Sequence, residues 1–333
     1  PDIVHAHDWH TALLPVYLKT IYAWDELFAN TRSLLTIHNL AYQGEFDRGI
    51  LHDLGLESAW PTLHRERLDA GRVGLLESGI LNADWVSTVS ESYSHEIRTP
   101  AGGMGLDAVL RARGHRVVGI VNGVDLAAWS PEHDPHIAAA YSTADPAGKA
   151  ACRRALLEEM ELEPDPAGPV FGLIARLTWQ KGVDLVLEAS EAMLAGTDAR
   201  LVVLGAGDPD LETGLFALQD HHRGRVRFWC GYNEGLAHRI EAGSDLFLMP
   251  SRFEPCGLNQ MYSQRYGTPP IVHRTGGLSD TVEHHEPGTD HGTGFAFDHA
   301  DAAGLTWAVG EAMRAWADPA GWATLVRRCM EHV

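Results

Sequence analysis

Apolar runs rich in β-branched residues alternate with longer stretches of helical period along the whole chain. In the second half the runs are Val170–Ile174, 200–204, Val226–Cys230, 245–249 and Pro270–His273, and the intervening segments 181–194 and 257–267 have helical length and spacing. A short run that is apolar at every position fits a strand covered on both faces. Such strands alternating with helices predict a parallel, doubly wound α/β sheet. The first half repeats the pattern at 3–5, 34–37, 85–89 and 117–121, four strands where a complete domain of this class has more. Proline and charge gather at 125–135, with further breakers at 145–148 and 164–169. That places the expected junction near 125–135, with one domain over 1–128 and a second over 129–333.

Composition narrows the class. The chain has 333 residues, with 26 Lys+Arg against 45 Asp+Glu and a net charge of −19. This length holds about two domains at roughly 150 residues each. No apolar stretch approaches the roughly 18 residues of a membrane span, so no membrane partner is expected. The acidic balance excludes a nucleic-acid partner, because the basic clusters at 111–113 and 327–328 are too small to hold a phosphate backbone. The first residues carry neither a start methionine nor a basic segment, so no signal peptide is expected and the chain reads as beginning inside a longer protein. Cys152, Cys230, Cys256 and Cys329 share no CxxC spacing. Free thiols and a cytoplasmic location are the expectation.

In doubly wound sheets ligands bind beyond the carboxyl ends of the strands, so the polar strand ends are where chemistry is sought. His5-x-His7, with Asp8 and His10, follows the first strand, and His38 follows the second. Alternate strand residues share a face, so His5 and His7 can reach one metal, but His38 is the only further ligand candidate. Hydrogen bonding to a polar ligand is the better reading, and neither metal nor cofactor is expected. Arg176 and Lys181 flank a loop that ends in Gly182 and enters a helix. Two cations beside a helix N-terminus suit a diphosphate; two surface cations on a loop are the plain alternative. Thr275-Gly276-Gly277 is a second turn able to bring backbone N–H groups against phosphate. Glu254 stands ahead of Cys256, Gly257 and Leu258 at another helix entry, where a carboxylate accepts hydrogen bonds from sugar hydroxyls or simply caps the helix. Cys256 has no neighbouring base to make it a nucleophile.

Taken together these segments resemble bacterial glycogen synthases and the related plant starch synthases. The resemblance rests on Asp2-Ile-Val-His-Ala-His-Asp-Trp-His10, Thr36-Ile-His-Asn-Leu-Ala-Tyr-Gln-Gly44, Gly119-Ile-Val-Asn-Gly-Val-Asp125, Ala175-Arg-Leu-Thr-Trp-Gln-Lys-Gly182, Glu254-Pro-Cys-Gly-Leu258 and Arg274-Thr-Gly-Gly-Leu-Ser-Asp-Thr-Val282. It implies two Rossmann-like domains facing across a cleft, a glycosyltransferase-B type fold with an incomplete N-terminal domain. It implies a retaining glucosyltransferase that moves glucose from ADP-glucose to the non-reducing 4-hydroxyl of glycogen or another α-1,4-glucan, without a metal. Carried over by motif, Arg176 and Lys181 neutralise the diphosphate and Glu254 binds glucose hydroxyls, with Cys256, Gly257 and Leu258 beside it. Thr275, Gly276 and Gly277 cradle phosphate, and Tyr232 lies near the adenine. Asn122 and His38 contact the reacting sugar, and Asp8 is the acceptor-side carboxylate. The family's lysine–glycine loop near its N-terminus has no counterpart here. Two alternatives therefore stay open: a non-catalytic ADP- or glucan-binding fragment, and another retaining glycosyltransferase of the same fold. The residues say nothing about oligomeric state.

Overall fold

The computed structural model describes residues 1–289 and 291–332. Backbone proximity divides the chain into a first unit, Pro1–Asn122, and a second, Gly123–Val333. The strands of the first unit are β1 (Ile3–His7), β2 (Arg32–Ile37), β3 (Glu45–Asp47), β4 (Arg72–Gly74), β5 (Trp85–Thr88) and β6 (Val117–Gly119). Four of them form a parallel sheet in the order β1-β2-β5-β6, while β3 and β4 make an antiparallel pair apart from it. Ala6, Leu35, Ile37, Val86 and Val117 point to one face, which Leu76 and Ile80 of the helix Leu75–Asn82 close. Alternate positions face the other way, and there His5, Thr36 and Ser87 form a hydrogen-bonded row across three strands. The strand β1 extends two residues past the expected end at His5, so His7 belongs to it.

In the second unit the strands are β7 (Val170–Ile174), β8 (Arg200–Gly205), β9 (Val226–Cys230), β10 (Leu246–Met249), β11 (Pro270–His273) and β12 (Phe295–Phe297). They form one parallel sheet in the order β12-β11-β10-β7-β8-β9. The two faces divide with period two: Leu201, Val203, Leu246 and Leu248 enter one core, and Val202, Leu204, Phe247 and Met249 the other. This two-sided burial is why the strands read as unbroken apolar runs. The segment 257–267 is helical only over Asn259–Arg265, and the helix expected from residue 181 begins at Val183 after a short turn. That helix buries Val183, Val186, Ala189, Ser190 and Met193, spaced three and four apart, against the sheet.

The proline-containing stretch 125–135 is built into the second unit. Trp129 stacks on His238 (ring centroids 3.7 Å, 11° between planes) and on Tyr262 (4.1 Å, 6°). Asp134 is buried and accepts a hydrogen bond from the Tyr266 hydroxyl, with His238 Nδ1 2.7 Å from its Oδ2. Nearby Lys149, on the helix Ala147–Glu159, donates to the carbonyls of Ala242 (3.2 Å) and Tyr266 (2.9 Å) and lies 2.8 Å from the Thr268 hydroxyl. Burial pushes its ammonium down to about 8. Among the described residues, no helix is long and apolar enough to cross a membrane. All four cysteines are free thiols, with Cys152, Cys256 and Cys329 buried and Cys230 exposed.

Candidate functional site

The strand order of the second unit contains one reversal. After β7 the chain moves outward through β8 and β9, then crosses back to lay β10 and β11 on the other side of β7. The loops leaving β7 and β10 therefore diverge from one point on the carboxyl edge, the place where such sheets bind ligands. The β7 loop carries Arg176 and Lys181, and the β10 loop carries Glu254, Cys256, Gly257 and Leu258. The topology thus brings together residues that lie 73 positions apart: Lys181 Nζ sits 2.6 Å from Glu254 Oε2.

Glu254 is buried, and the Ser251 hydroxyl donates to the same oxygen at 2.9 Å. The sequence signal for Ser251 is no more than its position three residues ahead of the glutamate at the end of the same strand. A second contact locks the two loops. Arg252 makes a bidentate pair with Asp184 (2.8 and 2.6 Å), donates to the Trp179 carbonyl, and lies over the Trp179 ring. That pair holds the Asp184 carboxyl below its usual range, chiefly through the hydrogen bonds from Arg252. Arg176 is exposed at the strand end. Its neighbour Leu177 is fixed by backbone bonds with Ala206 (2.9 Å) and Asp208 (2.8 Å) of the β8 loop.

Backbone closeness sets this edge. Gly182 has φ +66°, and a Cβ there would overlap the Pro250 carbonyl oxygen. Gly276 and Gly277 likewise lie against the backbone of Glu254 and Cys256. The Gly277 N–H donates to the Glu254 carbonyl at 3.0 Å, which ties this turn to the β10 loop. Thr275 is buried ahead of the short helix Gly276–Thr281. Cys256 is buried, and its carbonyl and that of Gly257 accept from Gln260 Nε2 at 3.0 and 3.1 Å. Leu258 is partly exposed before the helix Asn259–Arg265. Tyr232, after β9, is 88% exposed and so open to stack on a flat ligand.

In the first unit the carboxyl edge gathers a second polar group. His7 Nδ1 lies 2.9 Å from His38 Nε2, and Asp8 Oδ1 accepts the His38 backbone N–H at 2.8 Å. Asp8 holds φ +52°, an uncommon conformation for a residue with a side chain and one enriched at functional sites. The His5 imidazole is pushed below its ordinary range by burial, with His7 and His38 adding repulsion. Asn122 ends this unit beyond β6, partly exposed.

Residues 1–112 match the family described as the starch synthase catalytic domain, and residues 159–323 match glycosyl transferases group 1. The chain is 48% identical over 331 residues to a glycogen synthase of Myxococcus xanthus (strain DK1622), spanning 99% of this chain and 68% of that protein. It is 46% identical over 331 residues to a glycogen synthase of Anaeromyxobacter sp. (strain Fw109-5), spanning 99% and 69%. The solved catalytic domain of starch synthase IV from Arabidopsis thaliana, bound to ADP and acarbose, matches with a TM-score of 0.92 and 34% identity over 99% of this chain and 69% of that one. With two family models in succession and such identity over nearly its whole length, the chain belongs to the glycogen synthase family, glycosyltransferases of the GT-B fold.

Proposed function

We propose that the chain transfers glucose from ADP-glucose to the non-reducing 4-hydroxyl of an α-1,4-glucan. The observation that carries the reading is the Lys181–Glu254 pair at the reversal point of the sheet. A cation beside a buried carboxylate offers one group for a phosphate and one for sugar hydroxyls. A related starch synthase was solved with ADP and acarbose, a nucleotide of the class this reading requires.

In this scheme the bond between the anomeric carbon and the diphosphate oxygen breaks, and its electron pair leaves with ADP. Arg176 and Lys181 stabilise the charge that develops there, and fixed charges act most strongly where water is excluded. Glu254, oriented by Ser251, accepts hydrogen bonds from glucose hydroxyls. The acceptor 4-hydroxyl attacks on the face the diphosphate leaves, and its proton passes to a departing phosphate oxygen, so configuration is retained. His38 and Asp8 orient the reacting sugar and the acceptor, Asn122 contacts the sugar, and Tyr232 stacks on the adenine. Cys256, Gly257, Leu258 and the Thr275–Gly277 turn shape the wall around the sugar and phosphates.

The test is incorporation of labelled glucose from ADP-glucose into glycogen, run beside UDP-glucose. The expected result is incorporation that prefers ADP-glucose and collapses in Lys181→Ala. Incorporation that persists unchanged in that variant would overturn the assignment of the site.

A further inference from the structure

The helices Val183–Leu194 and Pro209–His221 pack side by side, and Gly214 leaves room for the Leu187 side chain between them. Near their far ends three metal-ligating side chains converge. Glu191 Oε1 is 3.2 Å from His222 Nε2 and 3.8 Å from His221 Nε2, and the three ligand atoms all lie within 4.8 Å of one another. A tetrahedral ion with bonds of about 2.0–2.1 Å holds its ligand atoms roughly 3.3–3.4 Å apart. Two edges of that figure are nearly formed. The third closes by turning His221, whose side chain is 71% exposed, out of its edge-on contact with the His222 ring (centroids 4.6 Å apart).

The carrier is rigid where it matters. The His222 carbonyl accepts from the backbone N–H groups of Arg225 (2.9 Å) and Val226 (3.0 Å), and its own N–H donates to Leu218 at 3.0 Å. Two imidazoles and one carboxylate are the donor set of zinc-class ions; magnesium and calcium take oxygen alone. A groove of about 360 Å³ runs beside Glu191 and His221.

We propose that Glu191, His221 and His222 form a divalent transition-metal site of the zinc class that fastens these two helices together. The helix Val183–Leu194 starts at the carboxyl edge of the sheet and runs back, so Glu191 lies toward the opposite edge from Lys181. The site is structural and separate from glucose transfer.

The test is calorimetric titration of EDTA-stripped protein with zinc chloride, and separately with magnesium chloride, alongside melting curves. Loss of even an outer-shell partner typically weakens metal binding about 10–100-fold, so His222→Ala, His221→Ala and Glu191→Gln are each expected to weaken one zinc equivalent by at least about tenfold. Zinc should raise the melting temperature of the parent and not of these variants, and magnesium should do nothing. A His5→Ala/His7→Ala variant, altered at the other histidine cluster, should keep the zinc equivalent in full. Absence of zinc binding in the parent, or uptake unchanged in both His221→Ala and Glu191→Gln, would overturn the proposal. These two substitutions lie on the surface, so the outcome does not hang on whether His222→Ala folds.

Discussion

At the scale of single residues, Lys181 is the position where loss should be felt most. Removing one fixed charge contact to a developing anion typically costs about 2.7–4 kcal/mol of transition-state stabilisation. Lys181→Ala, and likewise Arg176→Ala, is therefore expected to lower turnover at least about a hundredfold while leaving a folded protein. Steady-state kinetics beside a melting curve measures this, and a variant within threefold of the parent would remove the residue from the site. Ser251 supplies a graded comparison. Its hydroxyl holds the same Glu254 oxygen as Lys181, and a hydrogen bond to a charged group contributes about 1.5–3 kcal/mol. Ser251→Ala should reduce kcat/KM by roughly ten- to a hundredfold, less than the lysine variant; a larger loss than that of Lys181→Ala would mean that Ser251 touches substrate itself. The residue types at this site were legible in sequence, because a cation, a carboxylate and glycines at strand ends carry a chemical meaning of their own. Their pairing was not, since a contact across 73 positions depends on which strands are neighbours.

At the scale of elements, Gly182 joins the β7 loop to its helix with φ +66° beside the Pro250 carbonyl. Gly182→Ala adds a strained backbone conformation of order 1–3 kcal/mol together with an overlap that must push the β10 loop away. Lower urea resistance and lower transfer should therefore appear together in that variant; unchanged urea unfolding would mean the loop relaxes freely. Lys149 gives an element-scale test in pH. An unfolded lysine keeps its proton to about 10.4, whereas burial in the native state pushes the group down to about 8. Between those values the unfolded chain binds the extra proton, so this residue makes the native state gain stability as pH rises. The urea midpoint of the parent should therefore climb relative to Lys149→Met between about pH 8 and pH 10, and parallel curves would count against the assignment. The parallel strands were legible because burial on both faces writes a continuous apolar run. Phe295–Phe297 was missed because three residues make too short a run to separate from a loop. The β3–β4 pair was missed because its strands are as short and lie far apart in sequence.

For the molecule as a whole, no metal takes part in the proposed transfer, while the helix pair of the second unit carries the proposed zinc site. Exhaustive EDTA treatment should thus leave glucose incorporation intact and lower the melting temperature of zinc-loaded protein. Activity lost to EDTA and restored only by zinc would place a metal in the reaction. Fold class and family were readable at this scale because their motifs recur from residue 2 to residue 282 in one order. The glycine contacts between loops bear on how such a protein can change over generations. Backbones that touch at Gly182, Gly276 and Gly277 leave no slack for a longer or shorter loop, since one insertion displaces three strand ends together. Variation in donor preference has to enter through side chains that project from this fixed lattice, Tyr232 foremost, so a library that randomises identities should yield functional variants where one that varies loop length yields none.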